Sequence, residues 1–396
     1  MNTSINIKQY NKLKLTLAAT STLAVMAGAM IAPSLPLISR AFEDEPNSIL
    51  FSKLVLTIPA LFIALGGPFV GLLIDKYGRK IILLFSVLLY ALAGSSGIYL
   101  TSLKAILAGR ALLGLAVAGI MTTCITLIGD HFKGIERNKT MGLQTAFMAL
   151  GGVLYITIGG FLAEINWRAP FYVYFSSLLF LVPVFRIIIE PEKQLPSSKV
   201  TVKPSVEYPK FKIVFIFFIA LTGMVLFYLI PVQLPFLLNE ITDAGIMKAG
   251  MAIAASALTA SVVALSYQKL KSRLSFQSIY MIIFLFMAIG YLIFSLSGSY
   301  FHILIGSGLT GLGTGLLMPN TNLWIVDISP SIMRGRIVGG LTTSAFLGQF
   351  LSPLVFQPAS SFLSLQEIFR FASIIAAIYC LGFLSFLIIS KRRIVE

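Results

Sequence analysis

The chain has 396 residues, 57% of them hydrophobic and only 11% charged, with a net charge of +15. A water-soluble domain cannot bury that much apolar surface, so composition excludes a soluble globular protein and points to an all-α membrane protein with many spans. On a soluble chain the positive charge would suggest nucleic acid; here the basic residues sit at the ends of apolar runs, so no nucleic-acid partner is expected and the partner is the lipid bilayer.

Lys8, Lys12 and Lys14 ahead of an apolar run mimic a signal peptide. The run reaches about Ile38, long enough to span, and many spans follow, so it is read as an uncleaved first helix with a cytoplasmic N-terminus. At roughly 20 residues each, twelve spans fit the chain. The first six fall near 15–39, 49–74, 80–100, 103–129, 139–163 and 169–190. Pro191 to Pro209 is polar and rich in Pro, Ser, Lys and Glu, and reads as a cytoplasmic linker. Six more spans follow near 211–238, 246–267, 276–298, 301–326, 335–357 and 368–390. The expected organisation is an N-terminal six-helix bundle over 1–190, a linker over 191–210 and a C-terminal six-helix bundle over 211–396.

Charge supports that topology. Among the 30 Lys and Arg, Arg40, Lys53, Lys104, Arg168, Lys248 and Arg370 fall outside and Arg110 lies within a span. All others, including the C-terminal Lys391, Arg392 and Arg393, fall on the cytoplasmic side, and a shift of one span would reverse the bias. The two cysteines, Cys124 and Cys380, lie inside spans, so neither a disulfide framework nor metal ligation is expected. The halves also repeat. Pro36 and Pro235, Asp130 and Asp327, and Gly142 and Gly340 are paired at offsets of 199, 197 and 198, each in a similar local context.

Between the second and third spans lies a short, net-positive turn with Gly71, Leu73, Asp75, Gly78, Arg79 and Lys80. This spacing resembles motif A of the major facilitator superfamily (MFS) of secondary transporters. The resemblance implies the MFS fold: twelve transmembrane helices in two pseudo-symmetric six-helix bundles of like orientation. It also implies a conformational latch, closed in the outward-facing state and broken as the halves rock. On physical grounds Asp75 can sit on the positive N-terminal end of the eleventh helix. Asp130, at the C-terminal end of the fourth helix, is electrostatically misplaced and wants a cation, for which Arg79 is the natural candidate. Gly71 allows close helix approach, and Gly78 permits the turn.

Arg110 and Gly114 resemble the family's motif B, with Leu113 where the family often has glutamine. A charge within a span is costly and usually functional, so Arg110 is a candidate for coupling or substrate binding; snorkelling to the outer interface is the plainer reading. In the fifth span Gly151, Gly159 and Gly160 match motif C of the drug-exporter branch, while Tyr155 and Ile156 replace its Gly-Pro pair. By the same resemblance the first, fourth, seventh and tenth helices line a central cavity. Cavity candidates are Met26, Met30, Tyr155, Phe227, Tyr228, Gln233, Asn320, Asn322 and Gln349. Aromatic, methionine and amide side chains suit a mostly apolar organic ligand.

The fifteen Asp and Glu all fall at span ends or in loops. A proton-coupled carrier needs a titrating group that sees both sides, and none stands out. The absence of deep acids also argues against a strongly cationic substrate. The expected function is alternating-access, proton-coupled efflux of a small amphipathic organic compound or drug, as in the drug/proton antiporter-like branch. The alternative is a uniporter or importer of a neutral or anionic metabolite such as a sugar or organic acid; a non-transporting membrane sensor is more remote. No enzyme activity, cofactor or metal is expected, since no His/Glu cluster, phosphate loop or Ser/His arrangement is present. A monomer in a bacterial inner membrane, with both termini cytoplasmic, completes the expectation.

Overall fold

The computed structural model describes residues 7–190, 209–241, 245–330 and 333–395. Twelve of its helices are long and apolar enough to cross a membrane. Spans 1 to 6 are Tyr10–Ala41, Ser48–Tyr77, Arg79–Tyr99, Leu103–His131, Gly134–Ile165 and Ala169–Ile187. Spans 7 to 12 are Lys210–Ile241, Ile246–Leu265, Phe276–Ser295, Tyr300–Ile328, Arg334–Ser360 and Leu365–Ile389. The spans read from hydropathy match these to within a few residues. The expected linker lies almost wholly outside the described residues.

The first span of each half is broken. Span 1 runs as a helix over Ile7–Ala29, a 3-10 turn over Ala32–Ser34 and a short helix over Leu35–Ala41. Span 7 breaks between Lys210–Phe227 and Leu229–Ile241. Pro33 and Pro36 in the first, and Pro231 and Pro235 in the second, lack the N–H that would continue the helical ladder.

Packing repeats with a shift of six spans. Span 1 lies on span 5 as span 7 lies on span 11, and span 2 on span 4 as span 8 on span 10. Span 3 packs on spans 4 and 6 as span 9 packs on spans 10 and 12. The repeat extends to atoms. Tyr90 Oη donates to the Leu23 carbonyl at 2.7 Å, and Tyr291 Oη donates to the Leu226 carbonyl at 2.6 Å. A Cβ on Gly114 would meet Pro59 Cα at 2.9 Å and Phe62 Cβ at 2.8 Å. Its mate Gly311 meets the Ser256 backbone and Thr259, each residue displaced by the same 197 positions. Small residues let these helices cross closely where apolar lipid gives no drive to associate.

Between the halves, span 2 packs on span 11 and span 5 on span 8. Helix alternation puts Trp167, Ile241, Gly245 and the turns near 42–47 and 356–365 at one end of the bundle. The start of span 1, the end of span 12 and the 77–79 turn lie at the other.

Candidate functional site

The 71–80 turn is built from both sides. Gly78 caps span 2 with φ +91°, a conformation that favours glycine, and its N–H donates to the Ile74 carbonyl at 2.9 Å. A Cβ there would also meet Glu190 Oε1 at 2.8 Å. Glu190, at the far end of span 6, accepts from the Arg79 and Lys80 amides at 2.7 and 2.8 Å, so a carboxylate caps the N-terminus of span 3. Arg79 Nε lies 3.1 Å from Asp130 Oδ2, the pairing expected from the charge placement. The Lys80 ammonium rests over the Phe185 ring, 5.0 Å from its centroid.

Asp75 is exposed and makes no hydrogen bond or ion pair among the described residues. Gly71, expected to allow a close helix approach, faces open space, as do Gly335 and Gly339 on span 11. In this conformation, therefore, Asp75 does not sit on span 11. The Lys53–Gln357 and Met247–Glu164 hydrogen bonds, which join the halves, lie at the opposite end.

At that Trp167 end the halves meet closely. Gly160 and Gly250 approach so nearly that a Cβ on Gly160 would lie 3.3 Å from Gly250 Cα. One turn later Glu164 Oε1 accepts from the Met247 amide at 3.1 Å, within the first turn of span 8. On the other seam Lys53 Nζ donates to Gln357 Oε1 at 2.7 Å and stands 4.8 Å over the Phe236 ring. Lys53, assigned to the outer side, lies six residues into span 2 and is 2% exposed. Partners from spans 7 and 11 draw it inward. No signal in the local sequence distinguishes it from a lysine that snorkels, and Glu164, Glu190 and Gln357 were equally unmarked.

Arg110 is fully buried in the first half. It donates from Nε to the Val55 carbonyl at 2.9 Å, from Nη1 to Tyr174 Oη at 2.9 Å, and from Nη2 to the Ala27 carbonyl. Its charge is thus spread over oxygens from spans 1, 2 and 6, and Tyr174 supplies a partner where Leu113 cannot. The snorkelling geometry is not the one adopted.

The cavity candidates divide. Met26, Met30, Gln233 and Asn320 are fully buried, so none lines an open surface in this conformation. Asn320 is committed within the second half: Nδ2 donates to the Phe276 carbonyl at 3.1 Å, and Oδ1 accepts from Tyr267 Oη at 3.2 Å. Gln233 differs, because neither of its amide atoms has a partner. Ser34, on the 3-10 turn against which the second helix of span 7 packs, is likewise buried with its hydroxyl unpaired. Buried polar groups without partners are rare and expensive. Tyr155 is half-buried and shares a 3.0 Å hydrogen bond with Thr22 Oγ1. Phe227 and Tyr228, also half-buried, pack edge to face. Asn322 is exposed, and Gln349, 9% exposed, makes no hydrogen bond among the described residues. Among those residues no group of His, Cys, Asp and Glu could hold a metal.

A family model described as Major Facilitator Superfamily matches residues 17–277 and 234–395. The bacillibactin exporter of Bacillus subtilis (strain 168) is 24% identical over 360 residues, 86% of this chain and 88% of that protein. The multi-drug resistance efflux pump PmrA of Streptococcus pneumoniae (strain ATCC BAA-334 / TIGR4) is 22% identical, covering 89% and 90%. A match to an uncharacterized MFS-type transporter of Bacillus subtilis, at 27% identity, spans only 42% of that protein. Among solved structures a D-xylose-proton symporter superposes with a TM-score of 0.75 at 15% identity, covering 93% of this chain and 97% of its own. A bacterial homolog of the lysosomal transporter Spinster, inward-facing and unoccupied, does so with 0.75 at 15% identity and 98% of both chains. Those two likenesses carry the fold alone. With a family match running from the first span to the last, on twelve helices paired as two repeats, this chain belongs to the Major Facilitator Superfamily and is a transporter embedded in the bilayer.

Proposed function

We propose that this transporter exports a small amphipathic organic compound by alternating access, driven by protons, as a monomer with both termini cytoplasmic. The halves 1–190 and 211–396 are its moving bodies, joined through 191–210. The reading rests above all on one observation: the Lys53–Gln357 and Met247–Glu164 hydrogen bonds join the halves at the Trp167 end, while among the described residues none joins the 71–80 turn or its Arg79–Asp130 pair to the second half. That arrangement suits a carrier open toward the termini, with Asp75 free to engage span 11 once the other end parts. Full-length relatives that include a bacillibactin exporter and a multidrug efflux pump support export. The positive-inside bias supports the orientation. Gln233, Gln349, Tyr155, Phe227 and Tyr228 are the side chains proposed to meet the compound; Arg110 and Gly114 shape the first half around it.

The test is reconstitution into liposomes with an imposed proton gradient and a panel of amphipathic dyes and drugs. Export coupled to protons is expected to collapse the gradient on addition of a transported compound. Flux without any gradient dependence would leave a uniporter of a neutral or anionic metabolite. No flux of any compound would leave a sensor.

A further inference from the structure

We propose that Glu164 is a positioning residue that locks the Trp167 end shut, the counterpart at that end of the Asp75 latch at the other; this rests on the alternating-access reading above. The geometry begins with glycine. Gly160 lets span 5 approach span 8 until a Cβ there would lie 3.5 Å from Met247 Cα and 3.3 Å from Gly250 Cα. Glu164 stands four residues later on the same face of span 5. Its carboxylate is therefore delivered to the start of span 8. There Oε1 accepts from the Met247 amide at 3.1 Å, and a Cβ on the capping residue Gly245 would lie 2.7 Å from the same oxygen. A carboxylate at a helix N-terminus meets both an unpaired N–H and the positive end of the dipole.

Asp75 would face the same chemistry at the other end. It lies near the C-terminal end of span 2, as Glu164 lies near that of span 5. Each seam between halves thus pairs a carboxylate at the end of a first-half helix with the N-terminus of a second-half helix: span 5 with span 8, span 2 with span 11. The two contacts sit at opposite ends, so they cannot both form when the halves rock. In this structure Glu164 is engaged and Asp75 is free. Glu164 is exposed, so its contact is a bias rather than an anchor. States of a carrier differ by a few kcal/mol, and a bias of that size matters.

The experiment places spin labels at Lys104→Cys and Gly298→Cys, one on each half at the Trp167 end, with Cys124 and Cys380 replaced by alanine. The full chain is studied in nanodiscs without substrate. Glu164→Gln is expected to lengthen the distance distribution, raising the open-to-shut ratio about five-fold, the scale of one lost cap. Glu164→Lys should raise it further by repelling the helix end. Asp75→Asn should move it the other way, and the Glu164→Gln/Asp75→Asn double variant should return near the parent, a rescue that a merely structural role would not produce. An unchanged distribution in both Glu164 variants, with the proteins monodisperse, overturns the proposal; where Asp75→Asn alone shifts the distribution, failure of the double variant to compensate overturns it too. A shift with Glu164→Gln but none with Asp75→Asn supports Glu164 and instead removes the Asp75 latch.

Discussion

Gly78 and Glu190 show how a single position can carry two constraints. At φ +91° and ψ 161°, Gly78 occupies a region that side chains avoid, and its Cα faces the Glu190 carboxylate. Gly78→Ala is expected to cost about 1–3 kcal/mol through backbone strain and to displace the carboxylate that caps span 3. Glu190→Ala, which keeps the backbone, should cost about 1 kcal/mol as a lost cap. Thermal unfolding in detergent ranks the two, and a Glu190→Ala loss exceeding that of Gly78→Ala would contradict the strain assignment. Arg110 makes a sharper case. Lysine keeps its charge but cannot reach three separate oxygens in a planar fork. Arg110→Lys should therefore lose on the order of 3 kcal/mol, two charge-assisted hydrogen bonds' worth, in the same assay. A neutral result would mean that burial, not the fork, is what the site requires. Sequence alone marked Arg110, because a charge within a span stands out against lipid. It could not mark Tyr174, whose hydroxyl becomes relevant only once span 6 is folded against spans 1 and 3.

Helix crossings carry the repeat at the next scale. Gly114 against Pro59 and Phe62, and Gly311 against Ser256 and Thr259, are one crossing made twice. In both cases backbone on the partner helix fills the space a methyl would need, and backbone cannot rotate away. Gly114→Ala and Gly311→Ala are each expected to destabilise by about 1–3 kcal/mol. Gly142→Ala and Gly335→Ala face open space and should be neutral or stabilise by about 0.4–1 kcal/mol. Equal effects across the four in a thermal aggregation assay would sink the packing account. Span positions and the repeat were legible in the sequence because hydropathy acts locally. Gly114 and the 71–80 spacing were legible as motifs. What stayed hidden depends on the meeting of distant helices: Lys53 beside Gln357, Glu164 on span 8, and the orphaned Gln233 amide. A lysine six residues into a span reads as an interfacial charge until span 11 is known to supply a buried acceptor.

For the whole molecule the question is which contacts decide the balance between its two ends, and Lys53 permits a test of unusual sign. The residue is 2% exposed, and its ammonium is held by one neutral amide oxygen and the face of Phe236. The charged group acting on it is Glu240 on span 7. Lys53 forms no ion pair within contact distance among the described residues. Replacing a buried charge that has no ion-pair partner by an apolar group of similar length removes the cost of taking that charge out of water. In a protein whose shut end contains that charge, the gain falls on the shut state only; when the end opens, the lysine regains water and a methionine does not. Lys53→Met is therefore expected to hold or raise thermal stability while lowering transport. Lys53→Arg, which keeps a charge and several donors, should leave transport closer to the parent. Flux into proteoliposomes and thermal unfolding, measured on the same preparations, check both halves of the claim. A Lys53→Met protein that is less stable yet transports normally would show that the amine is a structural tie rather than a group whose burial sets the ease of opening.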